Sequence, residues 1–294
     1  MLAAVAAVVL GLWWPVAAPG GAHVAFTRVY SQHMELYVLD VRSHRLVRMG
    51  SNAGQLFPTW SADGSHIAYA SGGKLYVANA DGSGKRRYLA PTKAFAPAWR
   101  PGGTELAYLT THGARNTDLW VGNALWARDA IGRPAWSPDG MSIAFQRDEG
   151  IFVATGPGAE TRVSYIANPG QPAWSPDGSL IAYTAGRALY VVPPDRATEP
   201  RRLVSNLLNP GPPSWSPDGT EVAVSSGGGV WVATLHGARY RVDTQARAFG
   251  VGTSWIGPDL LISASVRGCS ERTGIVQVRP SRPPAALPGS CPAK

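Results

Sequence analysis

The chain has 294 residues, and its 34 glycines and 25 prolines fall mostly between apolar segments, which indicates many tight connections rather than disorder. Its 27 lysine and arginine residues outnumber 19 aspartate and glutamate residues, and the resulting net charge of +8 attracts polyanions. The two cysteines, Cys269 and Cys291, lie outside any C-x-x-C or lipobox-like context, so redox catalysis and lipoprotein anchoring have no support.

Residues 1–18 form an uncharged apolar segment that is open to three interpretations. The small residues Val16, Ala17 and Ala18 are typical of a signal-peptide cleavage site, although a signal peptide begins with positive charge and the first cationic residue here is Arg28. An uncleaved membrane anchor is the second interpretation, and Pro15 argues against it because proline interrupts a straight helix. In the third, Val16–Ala18 are a β-strand, since "APGGAHVAF" at 18–26 parallels "RPGGTELAY" at 100–108.

A repeat of about 40 residues dominates the rest of the sequence. Its marker is a tryptophan followed by Ser-Pro-Asp-Gly or a variant, as in "PAWSPDG" at 134–140 and again at 172–178. The marker tryptophans are Trp60, Trp99, Trp136, Trp174, Trp215 and Trp255, with gaps of 39, 37, 38, 41 and 40 residues. Serine, proline, aspartate and glycine in that order favour a type I turn after a strand.

Three further strands follow each turn. The second has consecutive apolar residues at its centre, as in "LIAYTA" at 180–185, which predicts a strand that is buried on both faces. The third reads aliphatic, aromatic, valine, as in "LYV" at 189–191, and the fourth is short and basic, as in "RRLVS" at 201–205. Arginines on the fourth strand suit an exposed sheet edge that must not pair with another chain.

Four short strands per repeat, joined by turns and without helical periodicity, predict an all-β fold, a β-propeller of four-stranded blades. The "P-A-W-S-P-D-G-x-x-I-A-Y" signature resembles the TolB-like propeller repeat family, a relative of WD-repeat blades. The resemblance covers the propeller and not the additional amino-terminal domain of TolB. Counting pairs of second and third strands favours seven blades, whereas the six blades of TolB are the alternative.

The predicted organisation is an apolar segment or signal peptide over 1–18, one propeller domain over 19–282 and a tail over 283–294. In an exported protein, Cys269 and Cys291 are expected to form a disulfide that stabilises the fold by about 3 kcal/mol. The predicted location is therefore extracytoplasmic: periplasmic, associated with the cell wall, or secreted.

No pattern in the sequence predicts a catalytic, cofactor-binding or metal site. His23 and His66 share one repeat position, but two ligands do not make a metal site without a third. The turn aspartates Asp63, Asp139, Asp177 and Asp218 form a ring that turn chemistry already explains. We interpret the repeat tryptophans as core residues because they occupy the core positions of the repeat.

Specificity is therefore expected in the loops that depart from the repeat. The candidate partner-binding residues are His112, Arg115, Asn116 and Arg267. The predicted function is a non-catalytic scaffold that binds a protein or an anionic envelope polymer, with no cofactor and no nucleic acid, and with membrane association only if residues 1–18 are retained. The alternative is a propeller enzyme, a lyase or lactonase, with its site at the central channel.

Overall fold

The computed structural model describes residues 9–30, 33–52, 57–112, 116–196, 198–227, 229–242, 248–265, 273–278 and 285–286. Over these ranges the chain is built from short strands, with one turn of 3-10 helix at Pro19–Gly21. The strands of the first three sheets are β1 Val9–Ala17, β2 His23–Tyr30, β3 Met34–Asp40, β4 Leu46–Asn52, β5 Thr59–Trp60, β6 His66–Ser71, β7 Lys74–Asn79, β8 Arg86–Tyr88, β9 Ala94–Trp99, β10 Leu106–His112, β11 Asn116–Val121 and β12 Ala124–Ala127.

The remaining strands continue the same pattern of four per repeat. They are β13 Ile131–Trp136, β14 Ile143–Arg147, β15 Gly150–Gly156, β16 Ala159–Ser164, β17 Ala173–Trp174, β18 Ile181–Ala185, β19 Ala188–Val192, β20 Arg201–Val204, β21 Ser214–Trp215, β22 Glu221–Ser226, β23 Gly229–Thr234, β24 Arg239–Val242, β25 Ala248–Ile256, β26 Asp259–Ser265, β27 Thr273–Val278 and β28 Ala285–Ala286. Within the described ranges they form seven antiparallel sheets of four strands, and each strand pairs with its neighbours in chain order.

The all-β propeller of four-stranded antiparallel blades is therefore confirmed. Apolar clusters fill the spaces between consecutive sheets, for example between the third and fourth sheets and between the fifth and sixth. A cluster of Val24, Phe26 and Leu39 from the first sheet with Leu261 from the last closes the ring. The second strands lie between two such clusters, and all five residues of β18 are buried, as the consecutive apolar pattern predicts.

The repeat turns have the predicted type I hydrogen bond. In the fourth blade the amide of Gly140 donates to the carbonyl oxygen of Ser137 over 2.9 Å. The side chain of Ser137 donates to Asp139 Oδ1 over 2.5 Å and accepts from the amide of Ser142, which begins the approach to β14, over 2.9 Å. One serine thus fixes both the turn and the strand that follows it.

Residues 9–17 form the inner strand of the first sheet. Strand β1 pairs with β2 from Val9 opposite Tyr30 to Ala17 opposite Val24. This is the arrangement that the strand interpretation of Val16–Ala18 predicts, and the strand begins earlier in the chain, at Val9. The sheet therefore includes residues on both sides of the predicted boundary at residue 18.

The carboxy-terminal predictions fall mainly outside the described residues. Cys269 and Cys291 both lie there, so their pairing remains a prediction. In the predicted tail, Ala285 and Ala286 pair with β27 as the fourth strand of the last sheet. Along the described ranges, no helix has the length and hydropathy needed to cross a membrane.

Candidate functional site

The predicted partner-binding loops connect the second and third strands of their sheets. His112 ends β10 and is paired with Asn116, the first residue of β11. Arg115 and Arg267 lie outside the described residues, as does the whole connection between β26 and β27.

The two histidines that share a repeat position serve as packing residues in the described structure. The His23 ring lies 5.9 Å from the Trp60 ring, and the His66 ring lies 6.3 Å from the Trp99 ring, measured between centroids. Each histidine therefore packs against the marker tryptophan of the next blade, and the His66 ring is stacked on that of Trp99. Among the described residues, no group of three histidine, cysteine, aspartate or glutamate side chains is placed to hold a metal ion.

The turn aspartates act locally, within their own turns. The Asp177 carboxylate accepts hydrogen bonds from the Ser175 hydroxyl, the Ser179 amide and the Ser179 hydroxyl, over 2.6, 3.1 and 2.8 Å. The Ser175 bond, followed by those from Ser179, holds the pKa of Asp177 below its ordinary value of 3.8. Equivalent serine bonds lower the pKa values of Asp63, Asp139 and Asp218. These contacts support the structural interpretation of the aspartates.

A cavity of about 380 Å³ opens at the turn end of the central channel. Its wall is built from the inner strands and repeat turns of several blades, and it consists largely of proline and tryptophan: Trp99, Pro101, Pro134, Trp136, Pro138, Pro172, Trp174, Pro176, Pro212 and Pro213. The indole N–H groups of Trp136 and Trp174 donate to the carbonyl oxygens of Ala98 and Ala135 in the preceding blades. These tryptophans therefore present mainly carbon atoms to the cavity.

One charged side chain, Arg133, is among the residues that line this cavity in the described structure. Its Nη2 donates to the carbonyl oxygen of Pro58, two blades away, over 2.7 Å. Desolvation lowers the pKa of Arg133 to about 10, so the guanidinium remains protonated at neutral pH. The amide side chain of Gln171 and the hydroxyl of Thr253 add polar groups to the same wall.

Sequence reasoning missed Arg133, although the repeat contains a signal for it. The residue lies three positions before a marker tryptophan. The equivalent positions in the other marked blades hold uncharged residues: Phe57, Ala96, Gln171, Pro212 and Gly252. Aligning the repeats column by column would have singled out Arg133 as the one cation in a layer that faces the channel.

The outer edge of the ring is a second charged feature. The outermost strands of three blades each present a pair of exposed arginines: Arg86 and Arg87 on β8, Arg201 and Arg202 on β20, and Arg239 and Arg241 on β24. We call these six residues the arginine rim. Arg201 also donates from Nη1 to the carbonyl oxygen of Leu235 in the next blade over 2.6 Å. The rim therefore combines edge protection with positive charge.

Solved structures of proteins with several different functions share this architecture. A TolB-type protein from Agrobacterium tumefaciens matches with a TM-score of 0.58 and 17% identity, over 76% of this chain and 94% of that one. A puromycin-hydrolyzing peptidase from Mycobacterium tuberculosis matches with a TM-score of 0.70 and 13% identity, over 96% of this chain and 54% of the peptidase. An oligogalacturonate lyase in complex with manganese matches with a TM-score of 0.65 and 15% identity, over 90% and 89% of the two chains.

At these identities the likeness shows the fold alone, and the matched proteins include enzymes. No curated protein matches the sequence. The model of a family described as the TolB beta propeller domain matches residues 55–247, which is more than half of the chain. The chain therefore belongs to the TolB β-propeller family.

Proposed function

We propose that the protein is an exported, non-catalytic scaffold that binds a protein or an anionic polymer of the cell envelope. The observation that carries this proposal is the arginine rim, which places pairs of exposed cations on the outer strands of three blades. Positive charge distributed along a rigid edge attracts an extended polyanion or an acidic protein surface over several contacts at once.

The divergent loops supply the specificity in this proposal. Arg115 and Arg267 follow β10 and β26 in the sequence, whereas the rim residues belong to the outermost strands of their sheets. Charge on the rim would raise the rate of encounter, and the loops would select the partner. Family membership supplies the rigid ring of blades that could carry such a binding surface, and the binding role itself is argued from the exposed arginines.

Affinity capture of binding partners by the purified protein, from the cell-envelope fraction of the producing organism, tests the proposal. Reversing the rim charge in Arg201→Glu/Arg202→Glu is expected to lower the amount of captured partner at least about tenfold at low salt. The double variant Lys74→Glu/Lys93→Glu is the control, because it makes the same change of charge at exposed positions off the outer strands. Replacing Arg115 and Arg267 together should weaken capture without changing the thermal melt.

Two outcomes would overturn this function. Equal losses in the rim variant and the Lys74/Lys93 control would mean that net charge alone drives capture. Turnover of a polysaccharide or a lactone by the purified protein, abolished when His23 and His66 are replaced, would establish the enzyme alternative instead.

A further inference from the structure

Stacked pairs of aromatic rings recur in four blades, where a ring on the second strand faces a ring on the third. The pairs are Phe26 with Tyr37, Tyr69 with Tyr76, Phe145 with Phe152, and Tyr183 with Tyr190. Their centroids lie 5.9, 5.7, 5.7 and 5.6 Å apart, and the two residues of each pair are Cα partners in the strand register. Equivalent strands therefore build the same two-ring stack each time.

In three of these blades a cation of the chain itself covers the stack. The guanidinium carbons of Arg28 and Arg147 and the ammonium nitrogen of Lys85 lie 4.5, 4.5 and 4.6 Å from the centroid of the third-strand ring. Their distances from the second-strand ring are longer, at 5.8, 5.2 and 5.7 Å. The face of an aromatic ring attracts a cation electrostatically. The nearly equal distances show that the stack has one preferred position for a cation.

The fourth blade shows how a guanidinium is held at this position. Arg147 lies two residues after Phe145, and its two terminal nitrogens donate to the two oxygens of the Glu160 carboxylate over 2.7 and 2.9 Å. Glu160 is the second residue of β16, the outermost strand of that blade. The Phe152 ring thus binds the face of the guanidinium while the carboxylate binds its planar fork.

The fifth blade has the same stack without a cation from its own second strand. Ala185 occupies the register position of Arg147, two residues after the second-strand ring, and its methyl group carries no charge. The Tyr190 ring is partly exposed, and none of the lysines and arginines that the structure describes lies over its face. The position that Arg147 fills in the fourth blade is therefore left to a cation from elsewhere.

A carboxylate accompanies this stack as well. Glu199 is exposed and lies two residues before β20, the outermost strand of the fifth blade. Burial raises the pKa of Tyr183 to about 12 against a hydrogen bond with Ser164, and the charge of Glu199 adds to the rise, so the carboxylate lies within electrostatic range of the rings. Over the described ranges, no ion pair engages Glu199. Two ring faces and a carboxylate are thus present together, as in the fourth blade.

We propose that the Tyr183–Tyr190 stack, with Glu199, binds the guanidinium of an arginine side chain from a partner polypeptide. The Tyr190 ring takes the face of the guanidinium, and Glu199 accepts hydrogen bonds from its fork, as Phe152 and Glu160 do for Arg147. A site for one exposed cation gives little affinity by itself. It therefore suits a side chain whose polypeptide makes further contacts better than a free small molecule.

A neighbouring arginine does not exclude this ligand. Arg202 is the Cα partner of Tyr190, just as Arg162 is the Cα partner of Phe152. In the fourth blade the Arg162 guanidinium lies 5.9 Å from the Phe152 centroid, while Arg147 occupies the nearer position at 4.5 Å. One ring thus accommodates both cations where a carboxylate is present.

This inference goes beyond the proposed scaffold function and is independent of it. The arginine rim attracts negative charge, whereas the fifth-blade stack binds a positive side chain. Replacing Tyr190 or Glu199 leaves every rim arginine in place, so the two proposals fail separately.

NMR titration of the full chain with three probes tests the site. The probes are N-acetylarginine N-methylamide, its neutral isostere N-acetylcitrulline N-methylamide, and free arginine. The blocked arginine should bind about fivefold more tightly than the blocked citrulline, because only the guanidinium carries charge to the rings and the carboxylate. Free arginine, which lacks a polypeptide-like backbone, should bind no more tightly than the blocked form.

Two variants locate the bound guanidinium. Tyr190→Leu should make the blocked arginine and citrulline bind equally, and Glu199→Gln should reduce the preference to about twofold because the rings remain. The controls are Tyr165→Leu and Glu149→Gln, and both should keep the full preference. Tyr165 is an exposed ring that already has two guanidiniums of the chain over it, and Glu149 is an exposed carboxylate of the fourth blade.

The proposal is overturned by any of four results. These are no binding of the blocked arginine at tens of millimolar, equal binding of the blocked arginine and citrulline by the unaltered protein, tighter binding of free arginine than of the blocked form, and a preference that survives Tyr190→Leu. Thermal melts identify a variant that fails to fold. If Tyr190→Leu does so, an unchanged preference in Glu199→Gln, at an exposed position, overturns the proposal in its place.

Discussion

In four repeat turns the final glycine lies against the turn of the preceding blade: these are Gly64, Gly140, Gly178 and Gly219. At Gly140, φ is +70°, and a Cβ atom placed there would lie 2.9 Å from the carbonyl oxygen of Pro101. Backbone cannot move away as a flexible side chain can, so glycine is required for two reasons: its left-handed conformation and the close approach of the two turns.

Comparing Gly140→Ala with Gly158→Ala separates these two causes. Gly158 has nearly the same φ, +68°, but no atom lies within 4 Å of its added Cβ. Both variants should lose about 1 kcal/mol from the left-handed conformation, and Gly140→Ala should lose clearly more because the turns collide. Urea unfolding measures both. Equal losses would show that the turns do not pack as closely as described.

The hydrogen bonds of Asp177 predict a pH dependence for the repeat turns. Because the Ser175 and Ser179 bonds lower its folded-state pKa below 3.8, the ionised carboxylate stabilises the fold above that pH and ceases to do so as pH falls through the lowered value. Asp177→Asn should therefore lower the free energy of unfolding by about 1 kcal/mol at neutral pH. The difference from the unaltered protein should shrink below pH 3.8.

Unfolding by urea across a pH series measures this difference. Asp148→Asn, at an exposed position in the turn between β14 and β15, controls for the loss of one charge. A difference between Asp177→Asn and the unaltered protein that is the same at pH 7 and at pH 2 would contradict the role assigned to the carboxylate.

At the scale of elements, the marker tryptophans join one sheet to the next. The indole of Trp136 is 8% exposed and donates to the Ala98 carbonyl oxygen, and Trp174, Trp215 and Trp255 make the same bond to Ala135, Ala173 and Ser214. Trp99 departs from the pattern because its indole donates to Gly103 within its own turn. Most blades are thus linked by one apolar contact and one hydrogen bond per tryptophan.

Removing these side chains should weaken the contacts between blades. Trp136→Ala should cost about 3–5 kcal/mol, as large-to-small changes at buried sites do, and Trp174→Ala, at a partly buried position that makes the same hydrogen bond, should cost somewhat less. Trp126, a partly buried residue outside the repeat frame, lies edge-on to Trp136 with ring centroids 5.7 Å apart, and Trp126→Ala should cost less. Chemical unfolding of the three variants provides the measurement. Equal losses at all three positions would contradict the repeat register.

The sequence predicts those features that recur in every repeat. The Trp136 strand end, its turn and the buried strand that follows are each encoded by local residue order, so they can be recognised copy by copy. An arginine at the repeat position of Arg133 occurs in one marked blade. Its place in the cavity wall depends on which positions face the channel, and that is a property of the closed ring. The bond from Trp136 to Ala98 likewise joins different blades and has no local signal.

Residues 1–18 were ambiguous for a related reason. A run of apolar residues is equally typical of a signal peptide, a membrane segment and a buried strand. Pairing with the rest of the first sheet is a long-range property, and in the structure Val9–Ala17 have that pairing. Local composition therefore could not decide among the three interpretations.

At the scale of the whole molecule, β1 helps to close the ring between the first and last sheets. The Val16 carbonyl oxygen accepts a hydrogen bond from the Trp60 indole, and the Ala17 amide donates to Ser254 Oγ over 3.1 Å. Strand β1 thus contacts the second blade on one side and the last blade on the other. Cleavage after Ala18 would remove both sets of contacts together with the pairing of β1 with β2, and it would leave β2, β3 and β4 as a three-stranded sheet.

Comparing the full chain with a chain that begins at residue 19 tests whether β1 belongs to the folded ring. Loss of the strand should lower the melting temperature by roughly 10 °C, because several hydrogen bonds and the edge of an apolar cluster are lost together. Ser254→Ala removes only the side-chain bond to Ala17, so it should change the melting temperature much less. Equal melting temperatures for the two chains would show that β1 adds nothing to the ring. Mass spectrometry of the protein from its native compartment would then report which of the two chains the cell retains.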